Sequence, residues 1–139
     1  MTEHHATARY PADEPLWVSI VEAEAIHIRQ LAEHGGGTGT RDRSLLESAL
    51  ARPQFVWQYG DPTPDFATLA SSLAYGLVNN HPFLDGNKRT GYVVCRLFLR
   101  LNGLTIDGTQ DDKYLTFYNL AAGELTEVDL AGWIRERLR

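Results

Sequence analysis

For most of the chain, apolar and polar positions repeat at helical rather than strand spacing. From Leu16 to His34, the apolar residues Trp17, Ile20, Val21, Ile28 and Leu31 fall near a helical period, with Glu22, Arg29 and Glu33 elsewhere around the axis. The glycine-rich run Gly35-Gly36-Gly37-Thr38-Gly39 closes this helix, because glycine enters the left-handed conformation that ends one. A shorter helix is predicted from Asp42 or Ser44 to Ala51. Ser44 and Glu47 stand at capping-box spacing, Leu45, Leu46, Ala49 and Leu50 supply the buried side, and Pro53 is expected to stop it. The clearest pattern is Phe66, Leu69, Ala70, Leu73 and Leu77 behind an Asp65 cap. Ala67, Ala70, Ala74 and Gly76 leave room there for a neighbouring helix to come close.

Residues 89–101 are apolar nearly all round, as in a central core helix, apart from a stripe of Arg89, Arg96 and Arg100; Asn102-Gly103 ends it. Two more helices are predicted at about 110–122 and 126–138, the second opened by Thr126 and Asp129 at capping-box spacing. Only residues 54–64, an aromatic stretch ended by turn residues, read as extended. Residues 1–14 have no period and read as a flexible lead-in to one domain, 15–139. The pattern therefore predicts an all-α domain of about six helices with one short extended excursion.

Composition narrows the picture. The 139 residues, 43% hydrophobic and 22% charged, suit a single globular domain. A formal charge of −5 argues against nucleic acid as the main partner, because phosphate-backbone binding needs a basic surface. The single cysteine, Cys95, excludes an intrachain disulfide and a Cys-built zinc site and fits a reducing, cytoplasmic setting. Inside the most apolar helix it reads as a small buried hydrophobe. No apolar run is long enough to span a bilayer and the polar Met1–Arg9 segment lacks a signal-peptide core, so no membrane association is expected.

Chemistry is concentrated in Asn80-His81-Pro82-Phe83-Leu84-Asp85-Gly86-Asn87-Lys88-Arg89-Thr90, between the most periodic helix and the most apolar one. The N-terminus of the following helix offers unpaired N–H groups and the positive end of the helix dipole. Gly86 allows the backbone to approach a ligand, so a phosphate would be well received there. Lys88 and Arg89 add full charges. Asp85 is a candidate Mg²⁺ ligand, since that ion commonly binds through one or two carboxylates plus substrate phosphates. Asn87 can donate to a phosphate oxygen or cap the helix, His81 is a candidate base near neutral pH, and Phe83 would anchor the loop in the core. Singly, these are ordinary turn, cap and surface residues. Together they form the parts list for phosphoryl or nucleotidyl transfer.

His81-Pro-Phe-Leu-Asp-Gly-Asn-Lys-Arg89 resembles the signature of the Fic/Doc superfamily, and within it the death-on-curing (Doc) toxin branch. Ala25-Ile-His27, the stretch from Gly35 through Arg41-Asp42 and Leu45-Leu46-Glu47-Ser48-Ala49-Leu50 to Pro53, and Phe98-Leu99 with Asn102-Gly103 extend the likeness over about residues 16–138. The resemblance implies a Fic/Doc-like helical bundle with a short β-hairpin-like flap. It implies that His81 deprotonates a target hydroxyl, that Asp85 holds Mg²⁺, and that Gly86, Asn87, Lys88 and Arg89 receive the phosphates of ATP. Phe55, Val56, Trp57, Gln58 and Tyr59 resemble the flap that pairs with a target segment by strand addition. An aromatic loop that merely covers the core is the competing reading.

The AMP-transferring members carry Gly where this chain has Lys88, and a further Arg where it has Tyr92. Doc toxins share both departures, and the resemblance then implies transfer of the γ-phosphate of ATP to a Ser or Thr of a target protein. In that branch the target is elongation factor Tu and the outcome is translation arrest. An AMP transferase, and a catalytically idle nucleotide- or partner-binding module, are the two other readings. The inhibitory pattern Ser/Thr-x-x-x-Glu-Gly/Asn of many AMP-transferring relatives is missing, so control is expected from a separate Phd-like antitoxin whose disordered tail folds onto the toxin. Gly35–Gly39 lacks the Lys-Ser/Thr of a phosphate-binding P-loop. His27 is expected in the core or at an interface with a satisfied nitrogen, Arg96 and Arg100 at the surface, and His4 and His5 have no partner at metal-ligand spacing.

Overall fold

The structure, a computed structural model, describes residues 8–37 and 39–139; His4 and His5 lie outside the described residues. The described residues form six helices: α1 (Ile20–His34), α2 (Arg43–Tyr59), α3 (Phe66–Asn80), α4 (Asn87–Leu101), α5 (Gln110–Ala121) and α6 (Glu127–Arg137). Among the described residues the only β pairings outside these helices are isolated antiparallel bridges, Thr40 with Phe83 and Ile106 with Leu138. The all-α expectation holds. No helix among the described residues is long and apolar enough to cross a membrane.

The most enclosed element is α3 rather than α4. Residues from Phe66 through Val78 are buried on nearly every side of α3, whereas α4 keeps Arg96 and Arg100 exposed. The small residues expected to admit a neighbour do so. A Cβ on Gly76 would lie 3.2 Å from the Ala49 Cα of α2, and one on Gly91 would lie 2.9 Å from Val78. Asp65 caps α3 by accepting from the Thr68 N–H at 2.9 Å, and Arg135 of α6 grips the same carboxylate at 2.7 and 3.2 Å. The lead-in is tied down within its described part, since the Arg9 carbonyl accepts from the Phe66 N–H at 2.8 Å.

Three local expectations are corrected. First, α1 starts at a Ser19–Glu22 capping box and turns Ala23, His27 and Gln30 inward, while Val21 and Ile28 are exposed. A face that carries a histidine and a glutamine is invisible to a purely apolar period. Second, Asp42, not Ser44, caps α2: its carboxylate accepts from the Ser44 and Leu45 N–H groups at 3.0 and 3.2 Å. The Ser44 hydroxyl donates to the same carboxylate at 2.6 Å, so no Ser44–Glu47 box forms.

Third, Pro53 does not stop α2, which runs on to Tyr59. An internal proline removes one backbone bond and crowds the preceding turn, at a cost of about 3 kcal/mol. Tertiary packing offsets this. Leu46, Ala49, Leu50 and Pro53 are all buried, and Arg52 makes a two-pronged ion pair with Glu127 of α6 at 2.7 and 2.8 Å. Phe55, Val56, Trp57, Gln58 and Tyr59 are therefore helical, and Phe55 and Tyr59 stack one turn apart with centroids 6.2 Å apart. A β-hairpin-like flap is not formed by these residues.

Candidate active site

The loop between α3 and α4 is held by the segment 39–42, by His27 of α1 and by Asn87 at the start of α4. It begins at His81, whose φ of 50° and ψ of 55° put a non-glycine residue in the left-handed region. That conformation costs on the order of 1–2 kcal/mol for an L-residue and needs external support. Arg41 supplies it. Its Nε and Nη2 donate to the His81 carbonyl at 2.9 and 2.7 Å, and Nη2 also donates to the Asn80 carbonyl at 3.1 Å. These are carbonyls at the C-terminal end of α3, where a guanidinium also complements the negative end of the helix dipole. The Asn80 side chain in turn donates to the Leu45 carbonyl at 3.2 Å, joining the end of α3 to the start of α2.

The next residues turn inward. The Pro82 carbonyl accepts from the Arg41 and Asp42 N–H groups at 2.7 and 3.0 Å, and the Leu84 N–H donates to the Gly39 carbonyl at 3.4 Å. Extended backbone beside the loop thus comes from residues 39–42, not from 54–64. Phe83 is 2% exposed and anchors the loop in the core as expected. Its ring lies flat on His27, with centroids 3.8 Å apart and planes 8° apart.

His27 also reaches the loop backbone. Its Nε2 lies 2.9 Å from the Asp85 carbonyl. A carbonyl oxygen only accepts, so Nε2 carries the proton and the tautomer is set by that contact. The histidine is buried with a satisfied nitrogen, as anticipated. The Asp85 carboxylate accepts from the Gly86 N–H at 2.8 Å on one oxygen. Its other oxygen lies beside Gly36, where an added Cβ would come within 2.8 Å of it. Gly36 has φ +127°, so only glycine readily meets both conditions.

Gly86 precedes α4 with φ 77°, and no side chain caps the helix. The Asn87 side chain is committed elsewhere: its Oδ1 accepts from the Phe83 N–H at 3.1 Å and its Nδ2 donates to the Phe83 carbonyl at 3.0 Å. This reciprocal clasp closes the loop and leaves the N–H groups of the first turn of α4 facing outward with the positive dipole end. The Asn87 amide is therefore occupied within the loop, and only its backbone N–H belongs to that exposed first turn.

His81, Leu84, Asp85, Gly86, Asn87, Lys88 and Arg89 line one side of a cavity of about 500 Å³; Tyr118, Ala121 and Ala122 line the other. The structure brings the loop residues His81, Asp85, Gly86, Asn87, Lys88 and Arg89 together at this cavity and leaves Phe55–Tyr59 outside it. The Lys88 ammonium lies 4.7 Å from the centre of the Tyr118 ring. One carboxylate facing a cavity that can hold phosphates matches the Mg²⁺ habit of one or two protein carboxylates plus substrate oxygens. Among the described residues no cluster of three or more His, Cys, Asp or Glu side chains forms a metal cage.

Two neighbouring residues on α4 are inert in different ways. Tyr92 is fully buried, edge-on to Tyr114 and Phe117 at 5.3 and 5.1 Å, and burial raises its hydroxyl above the usual phenol range. It offers no cation. Cys95 is buried and its thiol is pushed up to about 12, so it is no nucleophile. Sequence reasoning missed the supporting roles of Arg41, Gly36 and Tyr118. The Arg41 motif was visible in the sequence, but its reach to His81 across the fold was not; nothing in the sequence marked Tyr118.

A helical bundle that brings a histidine, an aspartate and an uncapped helix N-terminus to one cavity has the layout of a phosphate-handling enzyme. The Fic/DOC family profile matches residues 17–99, and the chain belongs to that family. It is 30% identical over 118 residues to Protein kinase doc of Escherichia phage P1, a match covering 85% of this chain and 92% of that protein. It is 39% identical over 72 residues to Toxin Doc of Mycolicibacterium smegmatis, covering 52% of this chain and 55% of that protein.

Proposed function

We propose that this chain is a Doc-like toxin that transfers the γ-phosphate of ATP to a Ser or Thr hydroxyl of a target protein. The observation that carries this reading is the pair Lys88 and Tyr92. Lys88 faces the cavity beside the uncapped start of α4, while the position that holds a second arginine in AMP-transferring relatives is a buried, uncharged tyrosine. A cation for a distal pyrophosphate is thus missing there, and an extra one stands next to the anion hole. The names of the two relatives point the same way.

In this mechanism the triphosphate lies against the first-turn N–H groups of α4, with Arg89 and Lys88 neutralising its oxygens. His81 takes the proton of the target hydroxyl as the oxygen attacks the γ-phosphorus. The bond from that phosphorus to the β–γ bridging oxygen breaks, ADP leaves, and the proton passes from His81 to solvent. Asp85 would hold Mg²⁺, which supplies charge neutralisation to the phosphate oxygens when bound. Arg41 and His27 keep His81 and Asp85 in place.

By family likeness the target is elongation factor Tu, the outcome is arrest of translation, and the setting is the cytoplasm. Control comes from a Phd-like antitoxin tail. A groove of about 560 Å³ between α1, α4 and α5 supports that partner: its lining includes Arg96 and Arg100, together with Arg29, which pairs with Glu33 of the same groove at 3.3 Å. An acidic amphipathic segment would meet these features. The test is transfer of label from ATP to a protein in bacterial lysate, lost in His81→Ala; transfer of the α-phosphate instead would establish AMP transfer.

A further inference from the structure

One side chain of the loop has no part in the chemistry assigned so far. Leu84 lines the same cavity as His81 and is 60% exposed, although Pro82 and Phe83 beside it are buried. The other loop side chains at that wall, His81, Asp85, Asn87, Lys88 and Arg89, are polar or charged. A lone exposed leucine is ordinary on a protein surface. This one is set apart by its seat and by what holds it there. The antiparallel bridge of Thr40 with Phe83 turns Phe83 into the core, and alternation along extended backbone sends Leu84 the other way. The Leu84 N–H donates to the Gly39 carbonyl at 3.4 Å, and the paired bonds of the Asn87 amide hold the Phe83 backbone just before it. Gly37 lies alongside. A Cβ added there would meet the Leu84 Cβ at 3.7 Å, an ordinary contact. Unlike Gly35, Gly36 and Gly39, Gly37 does not adopt a positive φ. Its backbone therefore has no need of glycine, and the missing side chain leaves that flank of Leu84 bare.

The reactants of phosphotransfer differ in what they offer Leu84. ATP presents phosphates to this wall and a metal ion presents charge; only the acceptor protein carries aliphatic side chains. We infer that Leu84, with the open flank above Gly37, is an aliphatic subsite for the acceptor. It receives a Val, Ile or Leu side chain within two residues of the Ser or Thr hydroxyl presented to His81. Leu84 is thereby a specificity-determining residue. The inference rests on the phosphotransfer reading above and adds to it the acceptor's side of the site. Because the backbone beneath Leu84 is already fixed, binding there orders little.

The test uses the full chain, γ-labelled ATP and Mg²⁺, with the principal protein labelled in bacterial lysate, purified and its labelled residue located by mass spectrometry. An aliphatic residue is expected within two positions of the labelled Ser or Thr. Burying a leucine side chain is worth about tenfold or more in binding. Leu84→Ala should therefore raise KM for that protein about tenfold with kcat changed less than about twofold, while ATP affinity by calorimetry stays within about twofold. Leu84→Met should stay near wild type. Replacing the acceptor's aliphatic residue with Ala should cost the wild-type chain about tenfold in kcat/KM but cost Leu84→Ala less than about twofold, since the contact is already gone. A labelled site with no aliphatic neighbour, a Leu84→Ala KM at the wild-type value, losses that add across the two substitutions, or an equal loss of ATP affinity overturns the subsite while the phosphotransfer reading stands. If the wild-type chain labels no protein from the γ-phosphate, that reading fails and the subsite falls with it. The exposed position of Leu84 makes unfolding of the variants a poor explanation, and circular dichroism of each checks this directly.

Discussion

Replacing His27 separates the two ways in which α1 supports the active-site loop. The imidazole is 2% exposed, stacks on Phe83 at 3.8 Å and donates to the Asp85 carbonyl at 2.9 Å. His27→Phe keeps a ring against Phe83 but removes the donor, a loss of about 1 kcal/mol for one net hydrogen bond. His27→Ala also removes an aromatic pair worth about 1 kcal/mol and leaves a hole in a packed site, for a total on the order of 3–4 kcal/mol. In a chain of this length about 1 kcal/mol corresponds to roughly 3–4 °C in Tm. Thermal unfolding followed by circular dichroism should therefore show a fall of about 3 °C for Phe and more than about 10 °C for Ala. The Asp85 carboxylate sits on the residue whose carbonyl is released, so His27→Phe should also lower phosphate transfer by about tenfold or more and raise the Mg²⁺ concentration needed for it. His27→Phe with wild-type transfer and wild-type Mg²⁺ dependence would refute the claim that this histidine sets the loop.

Two further substitutions probe the site and its foundation. Gly36→Ala puts a Cβ within 2.8 Å of the Asp85 carboxylate at a φ of +127°. It is expected to reduce transfer and Mg²⁺-dependent ATP binding more than tripolyphosphate binding without Mg²⁺; equal losses, or none, would show that Gly36 does not shape the Asp85 position. Burial alone would raise the Asp65 carboxyl, but hydrogen bonds from Arg135 and Thr68 hold it below its ordinary value of 3.8. Its carboxylate therefore stabilises the fold above that value, and the contribution is lost as pH falls through the lower folded-state value. Urea midpoints should drop below about pH 4 in wild-type protein and fall less steeply there in Asp65→Asn; identical slopes would remove Asp65 from the acid sensitivity.

How much of this was legible in the sequence depended on whether the deciding interaction was local. The period of α3, its Asp65 cap and the Thr126 box of α6 each involve residues a few positions apart, and they read correctly. Pro53 did not, because its local penalty is overridden by Arg52–Glu127 and by the close seat of α2 on Gly76, contacts with distant parts of the chain. The buried stripe of α1 was obscured for a different reason: its inward positions include His27 and Gln30, which an apolar pattern assigns to solvent. In the site, the motif itself was plain, and Phe83 was rightly placed in the core. What the motif does not reveal is division of labour. Asn87 spends its amide on Phe83, Arg41 steadies a left-handed His81 from another element, and Tyr118 closes the cavity from α5.

The central claim is that His81 activates a hydroxyl for attack on the γ-phosphate of ATP held at the start of α4. Its most direct measurement is label transfer from ATP carrying the label on either the γ- or the α-phosphate, using purified chain with bacterial lysate or elongation factor Tu. A labelled protein is expected with the γ-label alone, dependent on Mg²⁺ and lost in His81→Ala. Labelling from the α-phosphate, or γ-labelling that persists at the wild-type level in His81→Ala, would contradict it.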